Sequence, residues 1–161
     1  MPKLEKYHPI LTPHYTFDWL TKARVKDVLT LIQETDARQQ PTILSVADRI
    51  NQTMREIFHD QKLVWGITQR TTDQLIGIAG FTPLDLTANT ATLTVTVLPA
   101  QQQPAVLAEI YTRLTAFATH ELGLTQLSVH LSQPDQSLTK IFTELGFSVM
   151  TTDPLDFKLT R

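Results

Sequence analysis

Chemistry in this chain of 161 residues has to come from few reactive groups. Cysteine is absent, which removes thiol nucleophiles, disulfides and thiolate-bound metals. His8, His14, His59, His120 and His130 are scattered, with none at helical metal-binding spacing from another histidine or a paired carboxylate, so no metal is expected. Neither a nucleophile elbow nor a Walker loop occurs, which argues against serine and nucleotide hydrolases. His130 is the titratable group of most interest, because it ends a strand-like run and an imidazole ionises near neutral pH. Ser132 and Ser137 follow with hydroxyls able to donate to a leaving atom, and Asp85 is the only acid between positions 82 and 89. Each has a plainer reading, as a structural strand histidine, a first-turn serine or a solvated turn residue.

The other chemical feature is a loop. The alternating run Thr92-Leu93-Thr94-Val95-Thr96-Val97-Leu98 predicts a strand, and Pro99 to Pro104 turns it into an amphipathic helix over 105–122. Where a strand gives way to a helix, free backbone N–H groups point at the connecting loop and attract anions such as phosphate. Pro104 suits the first position of that helix, and Gly123 the position just past its end.

The remaining elements must position these groups. Residues 1–13, with Pro2, Pro9 and Pro13, read as an irregular arm. Tyr15 to Leu20 predicts a first strand, and Val25, Val28, Leu29 and Ile32 keep helical spacing. Ser45 with Asp48 resembles a capping box opening a second helix through Phe58. Strands are expected over 62–69 and 74–81, joined by a hairpin at Arg70 to Asp73, with a link over 82–89. Gly77 and Gly80 inside the second of these strands imply a bulge or a close backbone approach. A strand over 126–131, a short helix capped by Asp135 and stopped at Gly146, and two closing strands complete the order. Short connections make the middle of the sheet an antiparallel meander. The result is an α+β chain, mostly antiparallel, of six to seven strands in the order β-α-α-β-β-β-α-β-α-β-β. Two helices are expected on each face, in a single domain over 1–161.

Bulk composition narrows the partners. A formal net charge of -2 gives no electrostatic reason to expect nucleic-acid binding. The start has no apolar leader and no run approaches membrane-spanning length, so a cytoplasmic protein without membrane contact is expected.

Three motifs suggest a family. Leu75-Ile76-Gly77-Ile78-Ala79-Gly80 resembles the "LIG-x-x-G" third strand of the GNAT superfamily of acyl-CoA-dependent N-acyltransferases. Ala116 to Leu124 is similar to its "aF-x-x-x-x-LGL" helix end. Asp135 to Phe147 resembles its "N-x-x-[SA]-x-x-x-[YL]-x-x-LGF" run, with Leu138 in place of the small residue. Within the superfamily the likeness is greatest to the RimL and RimJ kind of ribosomal-protein N-terminal acetyltransferase.

The resemblance implies acetyl-CoA as cosubstrate and an amine, on a small molecule or a protein N-terminus, as acceptor. It implies a V-shaped opening, expected after Val97, between the strand at 92–98 and that at 126–131. There the pantetheine arm would lie along Val97 and Leu98, and His130 and Ser132 would stand where the thiol emerges. The pyrophosphate would rest on N–H groups near Gln103, Ala105 and Val106. Asp135 takes the position of an asparagine that steadies pantetheine, and Phe142 that of a tyrosine acting as acid. Thr92 stands where similar enzymes often have glutamate. The loop Ala100-Gln101-Gln102-Gln103-Pro104-Ala105 departs from the family's [QR]-x-x-G-x-[GA], sharing only Ala105. Gln103 brings a Cβ where glycine allows close approach, Pro104 lacks an N–H, and no Lys or Arg lies between Thr71 and Thr112. Arg113 or Lys140 could fold back to supply charge. Two functions follow: an N-acetyltransferase working by positioning, or a domain of the same shape that binds without turnover. Homodimers are common among similar proteins.

Overall fold

Alternation in the 90–97 run sets the frame of the molecule. In the computed structural model, which describes residues 3–161, Thr90–Val97 is a strand burying Ala91, Leu93 and Val97 while Thr94 and Thr96 stay exposed. It is the fifth of eight strands in one sheet. These are β1 (Ile10–Leu11), β2 (Tyr15–Asp18), β3 (Leu63–Gln69), β4 (Leu75–Asp85), β5 (Thr90–Val97), β6 (Gln126–His130), β7 (Ser148–Val149) and β8 (Asp156–Thr160). Their order is β1-β2-β3-β4-β5-β6-β8-β7, antiparallel except where β5 and β6 run parallel. Four α-helices accompany them: α1 (Val25–Thr35), α2 (Ile43–Phe58), α3 (Pro104–Ala116) and α4 (Gln136–Glu144).

Four expectations are corrected. The arm is not wholly irregular, because Ile10 and Leu11 pair with Phe17 and Thr16 and Leu4 is buried; residues 1–2 lie outside the described residues. This strand takes the sheet to eight. α2 starts earlier than Ser45: Thr42 caps it, accepting from the Ser45 N–H, while the Ser45 hydroxyl accepts from the Thr42 N–H. Either hydroxyl pattern fits the cap spacing, and the serine serves at the third helical position instead. β4 continues through Pro83 to Asp85, with an irregularity between Phe81 and Leu84 that absorbs the proline.

The sheet carries α1 and α2 over one face and α3 and α4 over the other. Even-numbered residues of β5 look toward α1 and α2, and odd-numbered ones toward α3. On the α3 side Trp65 meets Phe117 edge-on at 5.5 Å and Phe81 at 6.1 Å, and its Nε1–H donates to Tyr7 O at 2.8 Å. The buried indole thus keeps its one donor satisfied. Gly80 lets β4 lie against β3, since a Cβ there would come 2.1 Å from Leu63 O. Gly77 does the same toward β5, 2.5 Å from Thr96 O. α3 ends in a π-helical turn, Phe117–Glu121, before Gly123 takes φ +66°. Among the described residues no helix is long and apolar enough to cross a membrane.

Candidate active site

β5 and β6 share only three register pairs, Thr90–Gln126, Ala91–Leu127 and Thr92–Ser128. Beyond them both strands go on, β5 held by β4 and β6 by β8. The backbone edges they turn toward each other are unpaired, so the sheet opens like a V. Parting begins after Thr92, five residues earlier in the strand than the expected Val97. A gap bounded by two free strand edges suits an extended ligand carrying amides, which can hydrogen-bond as an added strand would.

Two cavities meet at this gap. A chamber of about 670 Å³ lies between the α1–α2 side and the sheet, roofed by Leu31, Ile32 and Ile50 and floored by Val64, Ile78, Thr82, Thr94 and Thr96. Asp36, Arg38, Arg49 and Lys62 are the charged residues on its wall. Asp36 accepts from Gln39 Nε2 at 2.9 Å and from the Arg38 N–H, which together hold its carboxyl below the usual carboxylate range. Arg49 reaches the neutral amide of Gln39 at 3.2 Å, and Lys62 pairs with Glu56 at 3.3 Å. The second cavity, a cleft of about 400 Å³, runs from the start of α3 down the gap, along Val95, Val97, Leu107, Tyr111, Leu131 and Leu138. Chamber and cleft share Thr35, Thr96 and Ser132. Lining shared in this way sets the two cavities side by side at those residues, the juxtaposition a transfer reaction needs.

The cleft gathers His130, Ser132, Asp135, Ser137 and Val97 from the expected site residues. Others lie elsewhere. Leu98 packs with Leu75 and the α1–α2 cluster. Gln103, Ala105 and Val106 sit at the rim, where Gln102 and Pro104 form the lining. Phe142 is fully buried behind Tyr111, among Phe147 and Phe157, and does not reach the cleft. Thr92 is on the last paired rung, short of the opening. Asp85 accepts from the Thr87 and Ala88 N–H groups, a turn residue remote from both cavities. Asp135 caps α4, accepting from the Leu138 N–H at 3.0 Å.

The anion-binding equipment at α3 is sparse. Pro104 lacks a donor, and the Leu107 N–H is committed to Gln103 O at 3.0 Å. The N–H groups of Ala105 and Val106 have no partner among the described residues. No Lys or Arg lines the cleft. Arg113, one of the two cations considered, turns to Glu121 instead. Phosphate would be held there by helix-end N–H groups alone. The two free N–H groups still fit such a group despite the Gln103 Cβ, while the open strand edges fit the arm behind it.

At the mouth His130 Nδ1 hydrogen-bonds Asp156 of β8, opposite it in register. That bond, more than the nearby Asp153 charge, raises the imidazole above its ordinary value. His130, Asp153 and Asp156 bring ligand atoms within 4.8 Å of one another, a grouping that linear spacing conceals because it forms across a strand pair. Tyr111 falls on the apolar face of the predicted 105–122 helix, which marks it for the core. It is 5% exposed yet lines the cleft, and burial with the neighbouring Asp135 charge keeps its phenol protonated well above the ordinary range. The one signal is a hydroxyl among the otherwise apolar positions Leu107, Ile110, Leu114 and Phe117 of that helix face.

Comparison with known proteins bears on this geometry. The sequence model of the family described as "Acetyltransferase (GNAT) domain" matches residues 12–148. Over 97 residues the chain is 22% identical to the uncharacterized N-acetyltransferase YoaA of Bacillus subtilis, covering 60% of this chain and 55% of that protein. The chain thus spans about half the length of that relative. A putative ribosomal-protein-serine acetyltransferase from Vibrio cholerae superposes with a TM-score of 0.77 at 16% identity, over 100% of this chain and 99% of that one. The microcin C7 self-immunity acetyltransferase MccE, solved with acetyl-CoA and AMP, gives 0.74 at 12% identity, over 93% and 94%. RimL, a ribosomal L7/L12 alpha-N-protein acetyltransferase, gives 0.76 at 8% identity, over 94% and 93%. At these identities the superpositions speak for the fold.

Proposed function

The chain belongs to the acetyltransferase (GNAT) domain family, and on that footing we propose that it moves an acetyl group from acetyl-CoA to an amine bound in the chamber under α1 and α2. The observation that carries this reading is the parting of β5 and β6 after Thr92, with chamber and cleft meeting at Thr35, Thr96 and Ser132. Acetyl-CoA supplies an activated thioester; the chain's residues supply position. Free edges of β5 and β6 hold an extended arm, and the Ala105 and Val106 N–H groups face its anionic end. Thr96 and Ser132 border the point where amine and carbonyl approach. The chamber excludes bulk water from one side of that point with Leu31, Ile32 and Ile50.

No carboxylate occupies the Thr92 position, so the acceptor loses its proton to water or arrives neutral. Holding the two reactants together accounts for most of the expected rate, since well-oriented pairs gain effective molarities on the order of 10⁵ M or more. His130, oriented by Asp156, lines the cleft, and its second ring nitrogen is a titratable group able to pass that proton on to water. The competing reading, a binding domain without turnover, draws on Gln103, Pro104 and the buried Phe142.

Isothermal titration with acetyl-CoA, followed by mass spectrometry of an amine panel incubated with protein and acetyl-CoA, separates the two. Micromolar binding with acetylated product is expected. Absence of both heat and thermal shift at millimolar acetyl-CoA overturns the transferase reading; binding without any product favours the domain that has lost turnover.

A further inference from the structure

Tyr111 is the cleft residue that positioning alone leaves without a task. Its ring is walled in, 5% exposed, and stands edge-on to Phe142 with centroids 4.9 Å apart and planes at 82°. No described residue hydrogen-bonds its hydroxyl. Among the described residues the one fully enclosed side-chain polar atom without a partner is Thr115 Oγ1, so the phenol oxygen keeps some exposure, and the cleft is the opening that this residue lines. Water in the cleft satisfies that donor until a ligand group beside Tyr111 takes its place. The cleft hydroxyls of Ser132, Ser137 and Thr96 are on exposed residues and turn freely to solvent, whereas the walled-in ring of Tyr111 fixes where its hydroxyl points.

Position narrows the partner. Tyr111 lies about 10 Å further along the axis of α3 than Pro104, at about 1.5 Å per residue. A ligand whose phosphates sit at the helix start and whose arm descends the gap therefore passes Tyr111 further down the same cleft, whose lining also includes Thr96 and Ser132. We infer that the Tyr111 hydroxyl donates a hydrogen bond to the sulfur of the acyl-CoA, supplying from α3 the donor that Phe142 does not supply from α4. This inference rests on the transferase reading given above.

The chemistry balances without a further reagent. The acceptor nitrogen bonds to the acyl carbon, the carbon–sulfur bond breaks, and its electron pair stays on sulfur, while the surplus proton of the amine passes to water. Tyr111 keeps its own proton, as burial and the Asp135 charge favour. It stabilises the sulfur anion by hydrogen bonding alone, and the thiolate is protonated by solvent on release.

Ultraviolet titration of the thiolate of bound CoA tests this on the full chain. The thiol should ionise about one pH unit lower on the unaltered protein than on Tyr111→Phe, because a bond to the anion favours it. Phe keeps the ring against Phe142, so melting temperature and CoA affinity at low pH should change little. Indistinguishable ionisation on the two proteins overturns the role of Tyr111 and leaves the transferase reading standing. Failure of the unaltered chain to bind CoA or acetyl-CoA removes both. Should Tyr111→Phe not fold, the ring resonances of Tyr111 in the unaltered chain give the same answer. They should shift with CoA and not with desulfo-CoA, and equal responses to the two overturn the inference.

Discussion

His130 and Asp156 face each other across the β6–β8 ladder, the imidazole Nδ1–H donating to the carboxylate. The bond raises the imidazole, which makes the protonated ring the favoured partner. The sign follows: the pair's contribution to stability is complete below the unfolded value of about 6.5 and is lost as pH rises through the higher folded value. Asp156→Asn should bring the imidazole titration, followed by NMR, back toward about 6.5. A titration that stays where it was would show that Asp156 does not set it.

At the start of α3 the side chain of Gln103 donates from Nε2 to Ala100 O at 3.0 Å and keeps a Cβ beside the free N–H groups of Ala105 and Val106. Its backbone, at φ −122°, is one that glycine adopts readily. Gln103→Gly should tighten acetyl-CoA binding by about 3- to 10-fold, measured calorimetrically, on the order of 1 kcal/mol. Unchanged affinity would mean that phosphate does not rest on this loop.

Gly80 has the least room of the strand glycines. A methyl group there would meet Leu63 O at 2.1 Å and Val64 Cα at 2.7 Å, both backbone atoms of β3 that cannot turn aside. Gly80→Ala should cost about 3 kcal/mol in urea unfolding, as other overpacked substitutions do. A loss below about 0.5 kcal/mol, the range of a neutral surface change, would contradict the close approach of β3 and β4.

Glu109 ties α3 to the segment ahead of β2. It accepts from Thr12 Oγ1 at 2.5 Å, from the His14 N–H at 3.0 Å and from His14 Nδ1 at 2.7 Å. Burial pushes this carboxyl up, but the three hydrogen bonds outweigh it and hold the group below its ordinary value. The stability it adds is therefore present above the unfolded value of about 4.3 and disappears as pH falls through the lower folded value. Glu109→Gln should cost about 1–2 kcal/mol near neutrality, with the two unfolding curves converging in acid. Parallel curves down to low pH would rule the linkage out.

Element order was readable because periodicity and punctuation agree along most of the chain. Asp135 and Gly146 bracket α4 as expected, and Gly123 closes the helix that begins at Pro104. What escaped was non-local. Pro83 reads as a strand breaker, yet β4 absorbs it in an irregularity opposite β5, visible only with the partner strand in place. Ile10 and Leu11 are too few to show alternation, and pairing with β2 makes them a strand. The chamber depends on where α1 and α2 come to rest over Thr94 and Thr96, which no local pattern states. Tyr111 escaped because helical spacing assigns it to the core, which is true of its ring and not of its oxygen.

A sheet fastened at one end by three rungs is mechanically two plates on a short hinge, β1 to β5 on one side and β6 to β8 on the other. Opening angle then becomes the soft coordinate of this molecule, and anything spanning the free edges acts as a stitch. Such a stitch would raise the melting temperature in proportion to the logarithm of its concentration above Kd. It would also slow amide exchange along Leu93 to Val97, the stretch of β5 beyond its last pairing with β6. Stiffness, in this architecture, arrives with the guest.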